Sequence, residues 1–138
     1  IETTKRSCLK FKSTPTTIIN FVEGTRFTLQ KQQAQQNNFN HLLSPKAGGI
    51  AFTLATMGEQ FDKILNITLV YPHNKGHIMK DMLKGRLTEV IIDIEQIDNV
   101  EQLLGNYQED IKYKKDFHQW LTQLWSKNDK KITHYLSK

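Results

Sequence analysis

No apolar run in these 138 residues approaches the roughly 20 needed to cross a bilayer. The opening stretch Ile1-Glu2-Thr3-Thr4-Lys5-Arg6 carries no apolar core of the signal-peptide kind. There is a single cysteine, Cys8, which excludes an internal disulfide and fits a reducing compartment; inert burial on a helix face is its expected state. Cysteine and histidine spacing offers no metal-ligand set, so no metal is expected. No helix-turn-helix, zinc-finger or RNP signature occurs, and no internal repeat is visible.

What is present describes one domain by length, able to bury about two-thirds of its unfolded surface. A hydrophobic fraction of 38% and a mean hydropathy of -0.54 predict a soluble globular piece. Lys and Arg number 19 against 14 Asp and Glu, giving a net charge of +5 and a pI near 9.3. That balance suits an anionic lipid surface and also suits nucleic acid.

The chain predicts alternating helices and strands. Residues 1–12 read as a helix with Ile1, Cys8 and Leu9 near one face, ended by Ser13 to Pro15. Residues 16–22 read as a buried strand, because the run is short and rich in β-branched side chains. From Thr28 to Asn40 the sequence is rich in Gln and Asn, without acid and without periodicity, which predicts a surface loop. Ser44-Pro45 is a helix-start signal, and Ile50, Leu54, Met57 and Phe61 follow at helical spacing. Residues 64–70 alternate before Pro72, and 87–94 form a third apolar run; both predict strands. Between them, residues 77–85 make a short amphipathic piece with two methionines. Tyr113, Phe117, Trp120, Leu121, Leu124, Trp125, Ile132 and Leu136 predict a terminal helix from about residue 110. Helices alternating with apolar strands place the chain in the α/β class, with a largely parallel sheet flanked by helices.

The stretch that carries chemistry is Phe21-Val22-Glu23-Gly24-Thr25-Arg26-Phe27, directly after Thr16-Thr17-Ile18-Ile19. An Arg fork binds phosphate oxygens bidentately, Thr25 can donate a further hydrogen bond, and Gly24 lets the backbone approach an anion. Glu23 can hold Arg26 in one rotamer or accept a hydrogen bond from a substrate hydroxyl. Lys46 sits at the expected helix N-terminus, where free backbone N–H groups favour an anion.

The order Glu23-Gly24-Thr25-Arg26 resembles the third conserved block of the glycerolipid acyltransferase superfamily, which includes the 1-acyl-glycerol-3-phosphate acyltransferases. His41-Leu42-Leu43-Ser44-Pro45-Lys46-Ala47-Gly48-Gly49 is similar to the segment between that family's third and fourth blocks. Leu65-Asn66-Ile67-Thr68-Leu69-Val70-Tyr71-Pro72 looks like its fourth block. Trp120-Leu121, Leu124-Trp125 and Lys127-Asn128-Asp129 resemble its terminal helix. The likeness is greatest to bacterial lysophospholipid acyltransferases of the YihG-like branch and covers nearly the whole chain; Val22 stands where many relatives have proline.

This resemblance implies a glycerol-3-phosphate acyltransferase-like fold and transfer of a fatty acyl group from acyl-CoA or an acyl carrier protein to a lysophospholipid hydroxyl. No further cofactor is implied. Glu23, Gly24, Thr25, Arg26 and Lys46 become the acceptor's phosphate-binding residues. The family's general base is a histidine followed five positions later by aspartate, and none of the five histidines here has that spacing; His77 and Asp81 lie four apart. The expectation is therefore the carboxy-terminal part, residues 1–138, of a single acyltransferase domain, its sheet left incomplete by truncation. That implies a parent on the cytoplasmic face of a bacterial inner membrane and a piece that self-associates through an uncovered sheet edge. A basic nucleic-acid-binding module and a non-catalytic interaction module are the alternatives, the first disfavoured because the basic residues are dispersed.

Overall fold

The computed structural model describes residues 15–35, 37–74, 77–98 and 100–138; the helix expected over residues 1–12, with Cys8, lies outside them. In chain order the elements are α1 (Leu29–Gln35), α2 (Ala47–Met57), β1 (Ile64–Val70), α3 (Ile78–Leu83), β2 (Ile91–Ile97) and α4 (Ile111–Leu136), with 3-10 turns at Gly58–Gln60 and Val100–Leu103.

The terminal helix α4 organises the rest. Asp110 caps it, its carboxylate accepting the Tyr113 N–H at 2.8 Å. Its apolar face buries Phe117 and Leu121 against Ala47, Ala51 and Leu54 of α2 and against Leu103. Small alanines on α2 let the two helices approach closely, while Phe117 supplies the bulk. Tyr113 and Trp120 pack their rings at 5.7 and 5.3 Å from Phe117, and Tyr107 meets it edge-on at 6.0 Å. Burying a side chain of this size stabilises the fold by about 1.5–3 kcal/mol.

The sheet corrects the sequence reading. Among the described residues it has two strands, not three, and they run antiparallel, with Ile64 opposite Ile97 and Val70 opposite Ile91. A largely parallel sheet needs each strand to return to the same end through a crossover; here residues 71–90, which hold α3, hand the chain back in the opposite sense. The run at 16–22 forms no strand, since no neighbour among the described residues offers it a ladder, and Ile18 and Ile19 are exposed. β2 begins at Ile91 rather than at residue 87, where pairing with Val70 starts.

Two smaller corrections concern the segment before α2. Residues 29–35, expected as loop, form α1: the Thr28 hydroxyl accepts the Lys31 N–H at 3.2 Å and caps it. Ser44 is not the cap of α2. Its N–H donates to the Gln35 side chain at 2.9 Å, and α2 starts at Ala47 with Lys46 in the cap position.

The side of β1 turned to α4 carries Asn66 and Thr68, both buried. Asn66 and Asn128 exchange two amide hydrogen bonds at 2.8 and 3.0 Å, which satisfies a pair that would otherwise be costly to bury. Beside them, Lys131 lies 2.5 Å from Asp93 and 3.1 Å from Glu95, Lys127 also pairs with Glu95, and the Tyr135 hydroxyl donates to Asp93 at 2.8 Å. Hydrogen bonds from Lys131 and Tyr135 hold the Asp93 carboxyl below its ordinary range. Those from Lys127 and Lys131 do the same for Glu95. The middle of the ribbon is thus fastened to α4 by polar contacts, while Val70 at one end is buried and Ile64 and Ile97 at the other pack against the core.

Candidate functional site

The five residues singled out from sequence lie around a tight turn that abuts the start of α2. The Gly24 N–H donates to the Phe21 carbonyl at 2.8 Å and Gly24 has φ +66°, a left-handed conformation that only glycine adopts without strain. The turn is bound to α2 through the Lys46 N–H, which donates to the Val22 carbonyl at 2.8 Å. A Cβ on Gly24 would stand 3.2 Å from Lys46 Cδ and 3.4 Å from its Nζ. The lysine side chain therefore lies across the bare face of the glycine, its ammonium beside the turn. The first turn of α2, Ala47-Gly48-Gly49, contains no acid and receives no side-chain cap.

Glu23 points inward and is half-buried. Desolvation raises its pKa above the usual 4.5, opposed by a hydrogen bond from the Leu43 main chain and by the Trp125 indole. The indole N–H is itself buried and makes no hydrogen bond of ordinary geometry among the described residues. Thr25 and Arg26 face solvent. The Thr25 hydroxyl accepts from Lys31 Nζ at 2.5 Å, and the same ammonium reaches the Arg26 carbonyl at 3.2 Å. Thr25 thus holds a cation against the turn, a different use from donating to an anion. The Arg26 guanidinium has no ion pair or hydrogen bond among the described residues, and Glu23 does not pair with it.

Sequence reasoning missed three contributors. Lys31 adds a cation. Trp125, on α4, faces the Glu23 pocket. Asp129, also on α4, accepts the backbone N–H groups of Asn40 and His41 at 3.0 and 2.8 Å, fixing the segment that leads into Lys46. Trp125 and Asp129 are one helical turn apart, which was the available signal that a single face of α4 backs this region.

A concavity of about 660 Å³ lies elsewhere, walled by Asp93, Lys127, Lys130, Lys131, His134 and Tyr135; of these, Asp93, Lys127 and Lys131 are engaged in the strand-to-helix ion pairs. Among the described residues no group of three or more His, Cys, Asp or Glu is placed to hold a metal ion, and no helix is long and apolar enough to cross a membrane. No family model, curated protein or solved structure matches the chain.

The Glu23 environment has a measurable consequence. Its native pKa lies above its unfolded value, so the folded state keeps the proton to higher pH than the unfolded chain does. The associated stability is fully present below about 4.5 and is lost as pH rises through the raised native value. Glu23→Gln should abolish that fall. The stability difference between variant and wild type, from denaturant melts at several pH values, should move in the variant's favour on going from acid to neutral pH. The Asp93 and Glu95 carboxyls have the opposite sign, losing stability as pH falls, but are common to both proteins and cancel. A pH-independent difference would refute the assignment.

Proposed function

We propose that this chain forms the acceptor-phosphate cradle of a glycerolipid acyltransferase, an enzyme that moves a fatty acyl group from acyl-CoA or an acyl carrier protein to the hydroxyl of a lysophospholipid such as 1-acyl-glycerol 3-phosphate. The observation that carries this reading is the Lys46 ammonium lying against the left-handed Gly24, at an acid-free helix start, with the exposed Arg26 guanidinium, which has no ion pair among the described residues, two residues further on. Backbone, ammonium and guanidinium then converge on one anion. Arg26 supplies two parallel donors to phosphate oxygens, Lys46 a point charge, and the first turn of α2 its free N–H groups.

In this reading Glu23, set back in its pocket, accepts a hydrogen bond from the acceptor's glycerol part. Its partial burial favours that task over pairing with a cation. Clamping the phosphate holds the acceptor hydroxyl in a fixed place relative to the thioester, turning a two-body encounter into a reaction within a complex. Deprotonation of that hydroxyl belongs, by the same resemblance, to a His and Asp five positions apart, a spacing found at none of the histidines here. The parent enzyme then acts at the cytoplasmic face of a bacterial inner membrane, where the chain's positive charge favours an anionic surface.

The test is a titration of the isotopically labelled chain with glycerol 3-phosphate, followed by amide NMR shifts. Saturable shifts should appear at residues 24–26 and 46–48, should be reproduced in part by inorganic phosphate, and should be absent with glycerol. Shifts confined to the lysines of α4, or none at all, would refute the cradle.

A further inference from the structure

The ribbon of β1 and β2 has one side covered, polar at its centre and aliphatic at its ends, and among the described residues its other, apolar side is open. Side chains alternate along a strand, and antiparallel partners share a face. The pairs Asn66 with Glu95 and Thr68 with Asp93 therefore turn together toward α4, while Ile67 with Ile94 and Leu69 with Ile92 turn together away from it. Leu65 completes the outer row opposite Gln96. The five aliphatic side chains are 52%, 54%, 47%, 58% and 61% exposed for Leu65, Ile67, Leu69, Ile92 and Ile94.

We infer that this face docks a second copy of the same chain, the two ribbons packing face to face about a two-fold axis near the Ile67 and Ile94 pair. Area is the first argument. Five aliphatic residues, each about half exposed, make a patch on the order of 500 Å², at the upper range of what a monomer normally exposes. Two copies together bury about 1,000 Å², the lower bound for a specific interface and the size of a reversible, concentration-dependent one.

Charge is the second argument. A protein of net charge +5 repels its copy except where the meeting surfaces are neutral. Both acids of β2 are turned onto α4 and neutralised there by Lys127 and Lys131, leaving no charged side chain in the open row. A partner of either sign finds no counter-charge on this face, whereas a copy meets isoleucine with isoleucine, as an isologous contact requires. This inference is independent of the phosphate cradle.

Sedimentation velocity of the full chain, from micromolar to hundreds of micromolar, tests it. A dimer that persists at high salt is expected, since apolar burial is not screened. Ile67→Thr with Ile94→Thr keeps β-branched residues on exposed strand positions, so far-UV circular dichroism should be unchanged. The dimer dissociation constant should rise at least about a hundredfold, because the isologous pair loses four isoleucines. Met79→Gln with Leu83→Gln, on the exposed surface of α3, should leave the dimer intact. A wild-type chain that stays monomeric would overturn the inference, as would a dimer that survives the threonine pair, the result expected if the open strand edges associate instead. A monomer that floats with anionic phospholipid vesicles through this face would equally overturn it.

Discussion

Arg26→Lys should weaken glycerol 3-phosphate binding to this chain about tenfold, and Arg26→Ala by up to about a hundredfold, with the fold intact in both. The range follows from a charge-assisted hydrogen bond, worth about 1.5–3 kcal/mol, and from the loss of the planar fork when guanidinium becomes ammonium. Because the guanidinium is exposed and makes no hydrogen bond or ion pair among the described residues, its removal should cost the folded state little. Thermal melts of the two variants should therefore overlay the wild type while the binding isotherms separate. The same substitutions in an active acyltransferase containing this chain should raise the acceptor KM or lower kcat/KM to a matching degree. Unchanged isotherms in Arg26→Ala would remove Arg26 from the cradle; a lowered melting temperature with unchanged binding would make it structural.

Phe117→Ala should cost about 3–5 kcal/mol, the largest single stability loss expected in the chain. Phe117 is 2% exposed, packs against three aromatic rings and lies in the core cluster with Ala47 and Ala51, whose small side chains cannot fill the space its ring would leave. Against a typical total of about 5–15 kcal/mol, such a loss leaves a marginal fold. Urea denaturation should show a midpoint far below wild type with the slope preserved. A loss under about 1 kcal/mol would mean that the α2 to α4 contact repacks freely and is not the core.

How much of this was legible in the sequence depends on what each signal encodes. β1 was readable to the residue because strict alternation ran up to Pro72, and α4 was readable as a helix from about residue 110 because Tyr113, Phe117, Trp120 and the residues after them keep helical spacing. Strand direction was not readable, since alternation tells which face a side chain takes and nothing about its neighbour's sense. Residues 16–22 have the β-branched content of a strand, yet that property measures fit to a pleated surface, and no such surface among the described residues receives them. α1 has no apolar period at all; Thr28 capping and the Gln32 amide bonds to the Phe39 and Asn40 carbonyls hold it in place. At the candidate site, Gly24 and Lys46 were each legible alone, the first from its turn residues and the second from the expected helix start, but their contact across 22 positions was not. The setting of Glu23 was not, because Trp125 and Asp129 come from the far end of the chain.

That distance bears on how the protein is made. The hydrogen bonds from Asn40 and His41 to Asp129 span 89 and 88 positions, and Trp125 comes from the same stretch of α4. A ribosome delivers the amino-terminal part first, at about 5–20 residues per second. The Gly24 turn and the start of α2 thus wait for several seconds without their backing helix. Contacts of such long separation also close slowly once the chain is free. A nascent chain arrested before residue 125 should hold its Glu23 carboxyl in water, with an ordinary pKa, and gain the raised value only when the last helix has been synthesised and docked.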